Sequence, residues 1–455
     1  MVETAPDETM STVDRLQALT DQPIHQCYHC HKCRAGCPVL PALDYGPDRM
    51  LRMLQLGHWE RVLSSRDIWL CLGCEMCGAH CPNGIDVGEV MIALRELAAE
   101  EGYRCEDCSK LRDKLRDKLR DKLREGVDLE LSEQPSETVA EMVDDRLCVG
   151  AKRLNRLSET IAGSHSVSGD ENSARLIWSQ DLERVPEGLA SRPGADLVYF
   201  VGCVGAFFPQ SCGVPQALTR VLGAAEIDFT TLGGDEWCCG YPLLALGEGD
   251  RADLLARHNV AELKSLEARQ LVTTCPSCYH MWKHIYPSLL GRELGVDVLH
   301  ATELLASLID AGRLPMGELS LQVTYHDPRD LGRKSGVYEA PRKVLQSIPG
   351  VTLVEMSGSG QTSECCGGGG NVESFDPDTV SLVAYHRVDR ACEVGADMIV
   401  SACQQCERTL MGAVRRHREA RRARMRVVDV GELVWKAVES GGKTERVDAL
   451  TEMEA

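Results

Sequence analysis

No stretch of this 455-residue chain approaches the roughly 18 to 20 uninterrupted apolar residues that a membrane-spanning helix requires, which argues against an integral membrane protein. Basic residues are also in short supply. Against 69 Asp and Glu the chain has 50 Lys and Arg, a net charge of −19. Contact with phosphate backbones, or with anionic lipid by charge alone, needs clustered cations, so nucleic acid is disfavoured as a partner. The opening decapeptide MVETAPDETM is acidic and polar, unlike a signal peptide. The expectation is a cytoplasmic protein, with peripheral docking on the inner face of the membrane through a partner subunit left open. Apolar and charged fractions of 43% and 26% are those of an ordinary globular chain long enough for two or three domains.

Cysteine is what the chain has in excess, at 22 residues. Without a secretory signal a disulfide framework is disfavoured, and clustered cysteines point to metal ligands or redox groups. Two runs carry the same spacing, Cys-x2-Cys-x2-Cys-x3-Cys-Pro: Cys27, Cys30, Cys33, Cys37, Pro38 and Cys71, Cys74, Cys77, Cys81, Pro82. Soft thiolates suit a cubane of four irons, which needs four of them converging. In two-cluster proteins the fourth cysteine of each run crosses to the other cluster. By that rule Cys27, Cys30, Cys33 and Cys81 hold one [4Fe-4S] cubane cluster, and Cys71, Cys74, Cys77 and Cys37 the second. Structural zinc instead uses paired Cys-x-x-Cys knuckles.

The segmentation follows these runs. Residues 1–23 read as an N-terminal arm and 24–108 as a helical two-cluster ferredoxin-like domain. Between the runs, Met50, Leu54 and, less regularly, Met53 and Leu56 fall at helical spacing behind Pro47. After the second run, Val87, Val90, Met91, Leu94 and Leu97 share one helical face. Residues 109–194 read as a helical linker containing the LRDK repeat, whose leucines at 111, 115, 119 and 123 spiral round a solvated helix. No catalytic feature is evident there. From Asp196, short apolar runs (LVYFVGC, QLVTTC, LQVTYHD, DMIVSAC) alternate with helical segments and deliver cysteines at strand ends, the signature of α/β lobes. The first lobe spans 195–315 and the second 316–440, with a tail at 441–455.

A second cysteine system fills those lobes. Cys203, Cys238, Cys239, Cys275 and Cys278 are matched, 126 to 128 positions later, by Arg329, Cys365, Cys366, Cys403 and Cys406. The constant offset implies an internal duplication. Vicinal cysteines reach one metal only across a sharp backbone turn, which accounts for Gly240 and Gly367 directly after each pair. Five thiolates are one too many for a cubane, leaving either a cluster with bridging sulfurs or a cubane with a spare thiol. Cys148, Cys212 and Cys392 read as small buried hydrophobes; Cys105 and Cys108, in CEDC, stay open between leftovers and an accessory site. The glycine run in CCGGGGNVES lacks the spacing and downstream acid of a dinucleotide fingerprint and suits close backbone approach to a cluster.

These motifs, IWLCLGCEMCGAHCPNGIDV included, resemble the C subunit of heterodisulfide reductase fused to its B subunit, whose repeated Cys-Cys-Gly motif defines the CCG domain. The order is that of the D subunit of the membrane-bound enzyme and its bacterial relatives, and the resemblance covers residues 24 to 435 outside the LRDK repeat. It implies a helical two-cluster ferredoxin module followed by two pseudo-repeated α/β CCG lobes. It also implies a non-cubane [4Fe-4S] cluster at Cys203, Cys238, Cys239, Cys275 and Cys278, where a disulfide is cleaved, fed by the two cubanes. Partners would be a flavoprotein or a membrane cytochrome b or quinone-reactive subunit, with a disulfide or thiols as substrate, in anaerobic metabolism. The second motif matches only at Cys365, Cys366, Cys403 and Cys406. Arg329 replaces the first cysteine and cannot serve as a thiolate, so this site is a four-cysteine cubane, a modified cluster or empty. Arg329 reads equally as an anion-binding residue or as an ordinary ion pair. His280, His326 and Asp327 are candidate proton donors, with structural roles as their alternative. The rival function is an electron relay joining a glycerol-3-phosphate, lactate or glycolate dehydrogenase, or electron-transferring flavoprotein, to a quinone pool.

Overall fold

The computed structural model describes residues 16–17, 19–104, 107–124 and 145–453. Cys105 and the side chain of Cys108 lie outside this description, as do the side chains at 118–124 and beyond 441. Among the described residues no helix is long and apolar enough to cross a membrane. The chain divides into two compact units, Met1–Ser158 with Leu244–Glu248 and Gly369–Thr379, and Glu159–Leu243 with Gly249–Gly368 and Val380–Ala455.

The first unit is helical. Pro47 takes the first position of helix Pro47–Gln55, where its missing N–H costs nothing. Met50, Leu51 and Leu54 are buried along it. The expected stripe therefore shifts: Leu56 caps the helix and stands 56% exposed, because positions 47, 50, 51 and 54 share a face at 3.6 residues per turn. Helix Val87–Glu100 buries the expected Val87, Val90, Met91, Leu94 and Leu97, and Asp86 caps it by accepting from the Gly88 and Glu89 amides.

Arg95, on this helix, is 2% exposed. It donates Nε to the Ile68 carbonyl at 2.7 Å, Nη2 to Cys71 at 2.6 Å, and Nη1 to Ala245 at 2.6 Å and Gly370 at 3.3 Å. One guanidinium thus ties the second cysteine run to both later segments of the unit. Gly370, in the glycine run, has φ +63°, and a Cβ there would fall 2.5 Å from the Cys71 carbonyl oxygen. The run admits close approach of backbone to a candidate ligand.

The LRDK repeat lies in helix Cys108–Arg124. Its first leucines, Leu111 and Leu115, are buried at 1% and 3% exposure and not solvated as expected. A four-residue step drifts only about 40° round a helix of 3.6 residues per turn, so two successive leucines still share a face.

The second unit holds two four-stranded parallel sheets. Strands β1 (Leu197–Phe200), β2 (Phe229–Thr231), β3 (Gln270–Thr273) and β4 (Asp297–His300) lie in the order β2-β1-β3-β4. Strands β5 (Leu321–His326), β6 (Val351–Leu353), β7 (Met398–Ser401) and β8 (Arg426–Asp429) repeat it as β6-β5-β7-β8. All pairs are parallel, with Tyr199 beside Val272 and Tyr325 beside Val400. Central strands β1 and β7 are buried throughout, as parallel strands covered on both faces must be. In each sheet the order reverses between the two central strands, the position where such folds open a crevice beyond the carboxyl ends. Cys203 and Cys275 follow β1 and β3; Arg329 and Cys403 follow β5 and β7.

Candidate iron-sulfur centres

Turns of left-handed backbone at His29 (φ 63°), His31 (φ 62°), Gly73 (φ 60°) and Glu75 (φ 58°) fold the two cysteine runs of the first unit back on themselves. Cys27, Cys30, Cys33 and Cys81 line one cavity, and Cys37, Cys71, Cys74 and Cys77 line another. The structure therefore groups the sulfurs in crossed sets of four. Buried carboxylates fix the frame. Asp67 accepts from the amides of Asp44, Tyr45 and Gly46 at 2.8, 2.8 and 2.9 Å, and Asp48 from His31 Nδ1 at 2.8 Å. Burial, reinforced by the Asp48 carboxylate, pushes the Cys33 thiol up to about 11, and burial, reinforced by the neighbouring Cys74 and Cys71, pushes the Cys37 thiol up to about 12. Such thiols keep their protons at neutral pH until a metal displaces them. Four soft donors converging on each cavity fit [4Fe-4S] groups.

In the first lobe the sulfurs form an unbroken chain of contacts, Cys203 to Cys238 to Cys239 to Cys278 to Cys275. All five are buried. Gly240 has φ +84° and Gly367 φ +90°, the sharp turn that lets vicinal cysteines face one centre. The Trp237–Cys239 loop is held on several sides. Cys238 N donates to the His165 carbonyl at 2.8 Å, Asn259 Oδ1 accepts from Trp237 N at 3.0 Å, and Tyr286 Oη donates to the Cys239 carbonyl at 3.0 Å. The Trp237 ring is stacked between His165 and His258, at 3.5 Å from each.

Two residues of this centre escaped the sequence reading. Arg175, in the stretch taken as linker, is 1% exposed and donates Nη1 and Nη2 to Cys203 Sγ, each at 3.7 Å. Its partner Glu236 receives Arg175 Nη1 at 2.9 Å and the amides of Val201 and Gly202 at 2.9 and 2.8 Å, fixing the backbone that delivers Cys203. No spacing rule links a cation to an acid 61 positions away. The only sequence signal was an arginine set in the apolar stretch RLIW.

In the second lobe Cys365, Cys366, Cys403 and Cys406 are buried together, with Cys366 Sγ and Cys406 Sγ 3.2 Å apart and Cys406 N donating to Cys403 Sγ at 3.3 Å. His326 joins them, a nitrogen of its ring lying within 4.8 Å of the Cys366 and Cys406 sulfurs. Arg387 Nε donates to His326 Nδ1 at 3.1 Å. Nδ1 is therefore the acceptor in that bond, and the buried Nε2 has no hydrogen-bond partner among the described residues. Arg329, at the place of the fifth cysteine, is 8% exposed and pairs through Nε with Asp330 at 2.9 Å. The other proton-donor candidates are otherwise engaged. Asp327 is locked in a two-pronged pair with Arg342 at 2.7 and 2.9 Å, and His280 meets Ser335 Oγ at 3.2 Å while burial and Lys334 push it down to about 4. Of the cysteines outside the motifs, Cys212 and Cys392 are half-buried free thiols, whereas buried Cys148, expected as a packing thiol, is disulfide-bonded.

Comparison with known proteins matches this architecture. The family described as "Cysteine-rich domain" (CCG) covers residues 197–283 and 323–411, and "4Fe-4S dicluster domain" covers residues 23–85. The chain is 38% identical over 450 residues to the D subunit of dihydromethanophenazine:CoB--CoM heterodisulfide reductase from Methanosarcina barkeri, covering 93% of this chain and 96% of that one. Identity to the same subunit of Methanosarcina acetivorans is 40%, with the same coverage. A more distant relative, the EtfAB:quinone oxidoreductase of Syntrophomonas wolfei, is 28% identical over 83% of this chain and 47% of its own length. With paired four-cysteine cavities, duplicated CCG lobes and full-length similarity, the chain belongs to the D-subunit family of heterodisulfide reductases and is an iron-sulfur electron-transfer subunit.

Proposed function

We propose that this chain is the iron-sulfur catalytic subunit of a heterodisulfide reductase-like complex and that its first CCG lobe is where a disulfide-type substrate is reduced or formed. Cys27, Cys30, Cys33 and Cys81, and Cys37, Cys71, Cys74 and Cys77, would hold the two cubane [4Fe-4S] groups. Cys203, Cys238, Cys239, Cys275 and Cys278 would hold a non-cubane [4Fe-4S] group, and Cys365, Cys366, Cys403 and Cys406 a further four-thiolate one. When bound, these groups supply single-electron carriers and, in the first lobe, an iron able to take a substrate sulfur.

The protein's part is to bury all five sulfurs of the first lobe, to exclude water from them, and to set a permanent cation, Arg175, against Cys203. That unbroken five-sulfur chain is the observation that carries the reading. A flavoprotein or a membrane cytochrome b or quinone-reactive subunit would feed the two four-cysteine groups.

The same fold supports a second reading, an electron relay between a dehydrogenase or electron-transferring flavoprotein and a quinone pool. Arg329 in place of a fifth cysteine favours it, since a symmetrical pair of five-thiolate sites is not available. Electron paramagnetic resonance with an iron count separates the two. Anaerobic protein, mildly oxidised with and without thiols, is expected to give a signal that requires thiol and disappears in Cys239→Ser. Ordinary reduced cubane signals alone, whatever thiol is added, would leave the relay.

A further inference from the structure

Tyr241 and Ser277 each stand two residues after a candidate ligand of the first lobe, Cys239 and Cys275, and are among the residues whose backbone N–H groups face those sulfurs. Both are gripped by their side chains from the second lobe, by consecutive residues. Arg329 Nη2 donates to Tyr241 Oη, with the guanidinium 5.7 Å from the centre of the Tyr241 ring. Ser277 Oγ donates to Asp330 Oδ2 at 2.6 Å. Arg329 and Asp330 are joined to each other at 2.9 Å, and Lys334 Nζ lies 3.9 Å from Asp330. The pair is buried, at 8% and 4% exposure.

A buried ion pair with each partner also hydrogen-bonded to a third group has one favourable geometry, and this one fixes two loops at once. A cysteine at position 329, which the duplication calls for, would have no donor fork to reach Tyr241 and would leave Asp330 only Lys334, at 3.9 Å, as its cationic partner. Hydrogen bonds to cluster sulfurs are among the levers that set cluster potential, and groups behind the ligands orient them.

We propose that Arg329, having replaced a ligand of the second site, is a positioning residue of the first, where with Asp330 it holds the Tyr241 and Ser277 amides against the Cys239 and Cys275 sulfurs. This rests on the reading that the first lobe binds an iron-sulfur group. The internal asymmetry then has a physical sense: the second lobe gives up a ligand and becomes a brace for its twin.

The test compares full-length anaerobic protein carrying Arg329→Met, Tyr241→Phe or Ser277→Ala with the wild type. Iron content, the paramagnetic signal of the first-lobe group and its midpoint potential are measured by redox titration. Tyr241→Phe and Ser277→Ala each delete one hydroxyl, leave the Arg329–Asp330 pair in place and keep the test valid should Arg329→Met fail to fold. Weakened N–H···S bonds are expected to lower the potential and alter the signal in both single-hydroxyl variants, with Arg329→Met shifted further in the same direction and iron content retained. Arg329→Lys, whose ammonium cannot span both partners as a fork, is expected to restore only part of the shift. A wild-type signal and potential in Tyr241→Phe and Ser277→Ala would overturn the inference alone. Absence of a first-lobe iron signal from the wild type would overturn it together with the reading beneath it.

Discussion

Arg175 directs both terminal nitrogens of its guanidinium at the sulfur of Cys203, 3.7 Å from each. The same guanidinium is balanced by Glu236, which receives Nη1 at 2.9 Å and is itself 0% exposed. A cation against a ligand sulfur favours the reduced, more negative state of whatever that sulfur binds, so Arg175→Met should lower the midpoint potential of the first-lobe group. It also strands a buried carboxylate, which typically costs about 3–5 kcal/mol. The double variant Arg175→Met, Glu236→Gln removes the stranded charge and should recover most of the stability, and losing the opposing carboxylate should return part of the potential as well. Redox titration and denaturant unfolding of both variants check this; equal potentials in wild type and variants would remove the electrostatic role.

The crossed cavities of the first unit make a pairing prediction. Cys81→Ser should abolish the paramagnetic signal that Cys30→Ser abolishes, and Cys37→Ser the one lost in Cys74→Ser, since each pair lines the same cavity. Each variant should keep the other signal. The opposite pattern, Cys37 grouping with Cys30, would mean that each run binds its own cluster.

What could be read from sequence was whatever spacing encodes. The four-cysteine runs, the offset between the CCG motifs and the glycine after each vicinal pair are local, and the strands β1, β3, β5 and β7 announced themselves as apolar runs ending at a cysteine or its replacement. The helix at Val87–Glu100 was legible for the same reason, a periodic stripe over three turns. Long-range polar pairing was not. Arg175 meets Cys203 from a stretch that reads as linker, Arg95 collects carbonyls from three separate segments, and Arg329 acts on Tyr241 88 positions away. A charged residue carries no mark of its burial in its neighbours' identities, so substituted Arg329 could be recognised as a missing ligand but not as a brace.

Arg95 carries a stability prediction of its own. Its guanidinium serves carbonyls of Ile68, Cys71, Ala245 and Gly370, all reached by a side chain 2% exposed. Arg95→Met leaves these acceptors without their donor, and with about 1–3 kcal/mol for each buried unsatisfied group a loss of ~3 kcal/mol or more is expected. Gly370→Ala attacks the same junction sterically, because its Cβ would meet the Cys71 carbonyl oxygen at 2.5 Å. Iron should be lost from the Cys71-containing group and kept by the Cys27-containing one, read as the selective disappearance of one paramagnetic signal; retention of both would show that the backbone there yields.

His300 makes the fold acid-sensitive in a definable window. It caps helix Ala301–Asp310, its Nδ1 accepting from Thr302 N at 3.2 Å, and Glu303 accepts from the His300 amide at 2.9 Å. The ring is 1% exposed, and burial pushes its pKa from the usual 6.5 down to about 3. Since the folded value is depressed, the unfolded chain takes up a proton between these limits that the folded chain refuses. Stability is fully present above 6.5 and falls as pH drops toward 3, by at most about 1.4 kcal/mol per pH unit. A second proton would also occupy Nδ1 and break the cap. His300→Asn keeps an acceptor at the cap but has nothing to titrate. Between pH 7 and 5 the wild type should therefore lose about 2 kcal/mol relative to this variant, measured as the difference in denaturant unfolding free energy at the two pH values. A difference that does not change with pH would mean that the folded protein admits the proton at His300.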